Sequence, residues 1–569
     1  MALGTRRHGL LVVFLLAAPA LAAPAAVAVE HARVPMRDGV SLAANVFHPA
    51  GTGRFPVILV RTPYGKGTAL PRNYRVFLDN GYAVVLQDVR GRNQSEGRFD
   101  PMRQETADAD DTLNWLARQP WSNGRIAMMG GSYLGIVQWK AALSGNPHLK
   151  AIAPVVSGGD DYRDRFYSPG GAFKLGHRLH WMASNMRVPG YTPPDFSLFV
   201  RALPVQAADL AATGQRVKMY QEAIEHPTFD SYWKAISTRE QLSKVKVPVF
   251  SVGGWYDNFV QSDLEAFSAL RAMGRTAYTL IGPWAHNMSL PFDGISFGPD
   301  ASAPVQRYQL EWFNRWLKDK PPAKEWPAAR IFVMGANRWR DESEWPLARA
   351  VPTPVYLDTA GSANSVAGDG VLRWQPPRKE QEDHFVYDPA NPVPTLGGNT
   401  CCNPSIFRWG PVDQAAVETR QDVLVYTSEP LKEELEVTGP VKALLHVATS
   451  AKDTDFTVKL VDVYPDGRAV NLTDGILRLR YRQGLDRVVL AEPGRVYEVT
   501  VDAGVTSNVF LPGHRLRLEV SSSNFPRFDR NLNTGGANAF ERKGIVVRQT
   551  VHTGGTTPSH VLLPVVRTN

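Results

Sequence analysis

The sequence predicts an α/β fold: a parallel sheet covered by helices, interrupted by a helical insertion and followed by an all-β domain. Three observations predict it. Short, near-continuous apolar runs at 55–61, 82–88, 125–128, 149–156, 247–252 and 278–281 alternate with helical segments, the pattern of strands buried on both faces. Between about Gly158 and Gln241 such runs vanish, and helical sequence rich in Arg and aromatics replaces them. From Pro352 onward, alternating turn-bounded segments such as 441–447, 456–463 and 515–520 read as strands of a β-sandwich or jelly roll. A chain of 569 residues and 62.8 kDa exceeds what one core supports. The expected units are residues 30–157 with 242–345 for the sheet domain, 158–241 for a cap over it, and 350–569 for the β-domain.

Taken in order, the chain opens on a targeting segment. Arg6, Arg7 and His8 form a basic start, an apolar stretch follows from Leu10, and Ala20-Leu21-Ala22 has the form of a cleavage site, so residues 1–22 read as a signal peptide. The expected product is secreted or periplasmic, with no membrane association once the signal is removed. Asp38-Gly39 between two alternating segments predicts a hairpin. Residues 105–116 predict a helix, acidic at its start as the helix dipole prefers. The formal charge is +8, but the basic residues are dispersed, which argues against a nucleic-acid role. The two cysteines, Cys401 and Cys402, are adjacent. They either form a vicinal disulfide or stay reduced, and they cannot supply a zinc site, which needs spaced pairs. No metal or cofactor is expected.

The chemistry centres on Gly130-Gly131-Ser132-Tyr133-Leu134-Gly135. A Ser among small residues, between a predicted strand and a predicted helix, is the setting of a nucleophile elbow. Two later runs end in Gly254-Trp255-Tyr256-Asp257 and Gly282-Pro283-Trp284-Ala285-His286. The order Ser132, Asp257, His286, each just past a strand, is that of an α/β-hydrolase triad. Functional residues of such sheets sit on loops after the strand C-termini, where Tyr64 and Asp88 also fall. Asp88 and Arg90 are expected to buttress the loop as an ion pair. Trp139, Trp255 and Phe259, close in sequence to the triad, are candidate substrate contacts.

With 36–40, 61–65 and 88–91, these stretches make the chain resemble the cocaine-esterase-like hydrolases, the CocE/NonD family that includes X-prolyl dipeptidyl peptidases, α-amino-acid ester hydrolases and glutaryl-cephalosporin acylases. The Gly-x-Ser-Tyr-x-Gly form, with its late Gly135, is the family's own elbow. The resemblance implies an α/β-hydrolase domain, a helical cap and a C-terminal jelly roll. It implies Ser132 as nucleophile, His286 as base, Asp257 as the residue orienting it, and the Tyr64 hydroxyl with the Tyr133 backbone N–H as oxyanion hole. In the α-amino-acid ester hydrolases, two carboxylates that bind the substrate ammonium closely follow the catalytic Asp. Here Phe259 and Val260 stand there, with Asp160 or Asp161 matching a third, so an apolar or aromatic acyl pocket is expected instead. The implied partner is a small-molecule ester or amide cleaved through an acyl-enzyme. An X-prolyl dipeptidyl peptidase or β-lactam acylase is the alternative, a non-catalytic binding protein on the same scaffold the remoter one, and homo-oligomerisation stays open.

Overall fold

The structure is a computed structural model that describes residues 28–401 and 408–567; the signal-peptide segment and Cys402 lie outside the described residues. Two sheets organise it. The first has ten strands in the order β1-β2-β4-β3-β5-β6-β7-β8-β9-β10. Strands β3 (Phe55–Thr62), β4 (Ala83–Asp88), β5 (Ser122–Gly131), β6 (Leu149–Val155), β7 (Val249–Tyr256), β8 (Ala277–Ala285) and β9 (Ala329–Val333) run parallel. Every residue of β4 and β7 is buried, which is why both read as unbroken apolar runs.

The edges are antiparallel. At one, β1 (Glu30–Pro35) and β2 (Ser41–Phe47) form the hairpin expected around Asp38-Gly39. At the other, β10 (Arg338–Glu342) folds back on β9. Strand β10, Arg-Trp-Arg-Asp-Glu, is charged and half-exposed, so it carries no apolar signature. Helices α1 (Arg72–Asp79), α2 (Glu105–Ala117) and α3 (Tyr133–Leu143) follow β3, β4 and the elbow strand.

The insertion between β6 and β7 is helical. It begins with a single wide turn over Asp161–Phe166, capped by Asp160, whose carboxylate accepts the Tyr162 and Arg163 N–H groups. Helix α4 (Leu175–Asn185) follows, then shorter helices at 208–213, 218–225 and 231–236. Its core is aromatic: Tyr162 stacks on Tyr167 at 4.6 Å and meets Trp233 edge-on at 5.3 Å.

Among the described residues beyond 350 the chain is β apart from short helical turns at 415–418, 479–481 and 538–540. Eleven strands join into the second sheet. This unit reaches the first sheet and the insertion: Tyr256 Oη donates to the Asn471 carbonyl, and the Gly176 N–H of α4 to the Pro526 carbonyl. Among the described residues no helix is long and apolar enough to cross a membrane.

Candidate active site

The C-terminal ends of β3, β5, β7 and β8 place Tyr64, Ser132, Asp257 and His286 at one edge of the sheet. Ser132 sits at φ 58°, ψ −123°, a sparsely populated region for a residue with a Cβ. The turn explains its neighbours. Gly130 has φ +132°, and a Cβ there would come within 2.6 Å of Leu134 Cβ. A Cβ on Gly135 would come within 2.5 Å of Ser157 Cβ. The late glycine is therefore where α3 leans against the chain after β6. The Ser132 N–H is tied to the Val155 carbonyl at 2.9 Å, and the Ser132 carbonyl accepts from Gly135 and Ile136.

His286 Nε2 lies 3.0 Å from Ser132 Oγ, and its Nδ1 lies 2.7 Å from Asp257 Oδ1. A carboxylate can only accept, so Nδ1 carries the proton and Nε2 presents its lone pair to the serine hydroxyl. Asp257 is 0% exposed. Its second oxygen accepts the Phe259 N–H at 2.9 Å, and Asn399, from outside the first sheet, donates to the Asp257 and Trp255 carbonyls.

Two donors are candidates for an oxyanion at the serine. The Tyr133 N–H is the first of α3, a position with no partner inside a helix. The Tyr64 hydroxyl receives the Trp181 indole N–H at 3.2 Å. An indole N–H can only donate, so Trp181 fills a lone pair of the phenol and leaves the phenol proton free. Although 45% of the Tyr64 residue is exposed, its hydroxyl end is sheltered, and burial raises its pKa. Nothing in the sequence singles out Trp181 for this position. Its indole also stacks on the Tyr133 ring at 6.1 Å.

The Tyr133 side chain is a strut. Its hydroxyl donates to Glu105 Oε1 at 2.8 Å and accepts the Met102 N–H. Glu105 in turn takes the fully buried Arg61 guanidinium at 2.8 Å. Burial first pushes the Glu105 carboxyl pKa up, against the pull of Arg61. Residue 105, expected to complement a helix dipole, is thus part of a buried pair that fixes the elbow from behind.

Several expectations need correction. Trp139 and Trp255 are core, not pocket: Trp139 donates to Ser157 Oγ, and Trp255 is 0% exposed, donates to the Phe332 carbonyl and packs on Trp345. Asp88 and Arg90 do not pair. Asp88 accepts the Lys66 and Gln94 N–H groups, whereas Arg90 binds Asp108 and Asp38. Phe259 does border the site, 5.6 Å from the His286 ring and 6.2 Å from His177. Cys401 is disulfide-bonded. Among the described residues, no group of three or more His, Cys, Asp or Glu is placed to hold a metal ion.

Comparison with known proteins places this geometry. Residues 38–288 match the X-Pro dipeptidyl-peptidase (S15 family), and residues 322–562 match the X-Pro dipeptidyl-peptidase C-terminal non-catalytic domain. The chain is 41% identical over 568 residues to the cocaine esterase of Rhodococcus sp. (strain MB1 Bresler), covering 94% of this chain and 98% of that one. The chain belongs to the cocaine esterase and S15 family of serine hydrolases. It also superposes on two solved structures at 27% identity each. One is an aminopeptidase from a marine sediment archaeon, Thaumarchaeota archaeon (TM-score 0.85, 97% of this chain and 99% of that one). The other is an α-amino acid ester hydrolase (TM-score 0.84, 96% and 98%). In this family's α/β-hydrolase and C-terminal β architecture, Gly-x-Ser-Tyr-x-Gly supplies the elbow around Ser132.

Proposed function

We propose that this chain is an exported serine esterase that cleaves esters, and amides of similar shape, through an acyl-enzyme on Ser132. One observation carries the reading: an unbroken hydrogen-bonded line from buried Asp257 through His286 to Ser132 Oγ, beside two donors. His286 Nε2 takes the Ser132 proton as Oγ attacks the carbonyl carbon, and the imidazolium is held by Asp257. The carbonyl oxygen, now an oxyanion, accepts from the Tyr64 hydroxyl and the Tyr133 N–H. His286 then gives its proton to the leaving alkoxide or amine. Water, activated by the same imidazole, attacks the acyl carbon, and the proton returns to Ser132. Residues 158–241 form the cap over the acyl site, with Phe259 and Trp181 as its aromatic wall. Removal of residues 1–22 during export completes the reading.

The esterase preference rests on the carboxylates. An aminopeptidase-type reaction needs a free carboxylate for the substrate ammonium. Asp160 is committed to its own turn and to Arg163 at 2.7 Å, and Asp161 to Lys140 and Arg165. Phe259 and Val260 offer no charge. The similarity to a cocaine esterase favours the same side, while the match to the X-Pro dipeptidyl-peptidase family makes that activity the alternative to test. Purified protein assayed with p-nitrophenyl butyrate and with Gly-Pro-p-nitroanilide should turn over the ester faster. Anilide turnover exceeding ester turnover would reverse the preference.

A further inference from the structure

A cavity of about 240 Å³ opens between the cap and the segment that joins β4 to α2. Five cations line it: Arg92, Arg98, Arg187, Arg216 and Lys218. Its one carboxylate, Asp100, is taken by Lys218 at 2.6 Å. Arg216 is held by Asp209 at 3.2 Å. The other three arginines have no carboxylate within ion-pair distance among the described residues. Arg98 and Arg187 are exposed, and their side chains make no hydrogen bond there either. Arg92 is half-buried. Its Nε donates to the Pro63 carbonyl at 2.9 Å, its Nη1 to the Asn185 carbonyl at 2.6 Å, and it lies 5.3 Å from the Phe99 ring centre. Its Nη2 has no acceptor among the described residues and is not sealed from solvent.

Three like charges round one cavity repel one another, and Arg cannot escape that by losing its proton. Burial pulls the Arg92 pKa down, the sign of a cation short of a counter-charge. The helix Lys218–Glu225 starts on the cavity wall, and no side chain caps its first N–H groups. The positive end of its dipole adds to the same field. The space is well above the roughly 10–15 Å³ that one water needs, so an oxyanion fits with part of its hydration shell. The triad, Tyr64 and Phe259 are not among the lining residues.

We infer that this cavity binds a phosphate-type dianion, as the free ion or as the head of a monoester, in a second site outside the acyl pocket. Three separate guanidinium forks and a helix start suit a tetrahedral group with at least three acceptor oxygens and two charges. A carboxylate offers two oxygens and one charge, and leaves part of the cluster unanswered. The inference goes beyond the function proposed for Ser132 and does not depend on it.

The test is isothermal titration of the full protein at low salt in alkaline buffer, where phosphate is a dianion. Inorganic phosphate and glycerol 3-phosphate are compared with acetate and chloride at matched ionic strength. Phosphate or its ester should bind with a Kd of roughly 1 mM or tighter, the range for two or three charge-assisted hydrogen bonds, and the tighter of the two names the source. Acetate should bind at least about ten-fold more weakly. The double variant Arg98→Gln, Arg187→Gln removes two exposed side chains that hold nothing in the fold, and should weaken phosphate binding at least about ten-fold. If that variant does not fold, phenylglyoxal labelling of the wild type, mapped by mass spectrometry, gives the same answer. Phosphate should protect Arg98 and Arg187 but not Arg307, whose side chain is 77% exposed beside Glu311. At saturating phosphate the KM for p-nitrophenyl butyrate should not rise. Phosphate that binds no better than chloride, binding unchanged in the double variant, equal labelling of all three arginines with and without phosphate, or competitive inhibition of ester turnover would overturn the assignment.

Discussion

Tyr64→Phe is the most informative single substitution at the site. It deletes one oxygen and leaves the ring. In the wild type that oxygen accepts from Trp181 at 3.2 Å, and in the proposed mechanism its proton is the one oxyanion donor that comes from a side chain. Losing one such donor costs about 3–4 kcal/mol of transition-state stabilisation, or roughly 10²–10³ in kcat. The ground-state carbonyl is held less tightly by this donor than the oxyanion, so KM should change far less than kcat. Burial raises the Tyr64 pKa, so the phenol stays protonated to higher pH than a free tyrosine, and the alkaline limb of the wild-type profile should not arise below the ordinary phenol range. Stopped-flow release of p-nitrophenol separates acylation from deacylation, and both steps should slow because both pass through an oxyanion. Trp181→Phe should slow them less, since it only frees the phenol to rotate. A Tyr64→Phe enzyme within about three-fold of wild type in kcat, far inside the expected loss, would refute the role given to this hydroxyl.

Other outcomes come from the same geometry. Asp257→Asn leaves an amide that cannot accept from both His286 Nδ1–H and the Phe259 N–H with the same charge, so kcat should fall about 10⁴-fold with the thermal midpoint little changed. Arg61→Met strands Glu105 in the core and should destabilise by about 3–5 kcal/mol, measured by denaturant unfolding; adding Glu105→Gln should restore part of that loss. Asp164 is buried beside Asp160, and burial, then that charge, raises its pKa from 3.8 to about 6. Between those values the folded state binds the extra proton, so this group lowers stability as pH rises through the window. Asp164→Asn should therefore gain thermal stability relative to wild type above pH 6, and the gain should vanish below about pH 4. A gain independent of pH would remove Asp164 as the source.

The catalytic half is legible in the sequence because its signals are local. A parallel strand buried on both faces must be apolar throughout, so 82–88 and 247–252 stand out, and chain order alone fixes which residues lie just past each strand end. Asp257 and His286 can be found in this way without any knowledge of packing. Trp181 cannot. It lies on a cap helix more than forty residues after Ser132 in the chain, and only the placement of α4 against the sheet aims its indole at Tyr64. Trp139 and Trp255 show the converse: proximity to the triad in sequence says nothing about which face of α3 or β7 a side chain occupies, and both face the core. Asp88 and Arg90, two residues apart, suggest a pair, but Asp88 is consumed by backbone N–H groups and Arg90 reaches back to α2 and the Asp38 turn. The charged strand β10 lacks the alternation that a half-buried strand shows. Glu105 looks like a helix-dipole residue because its buried partner, Arg61, is 44 positions away.

Acylation of Ser132 is read out by treating folded protein with a fluorophosphonate and mapping the adduct by peptide mass spectrometry. One stoichiometric adduct is expected on the peptide that contains Gly131-Ser132-Tyr133, lost in Ser132→Ala and strongly slowed in His286→Ala. A folded wild type that takes no adduct, or takes it at another residue with Ser132 unmodified, would contradict it.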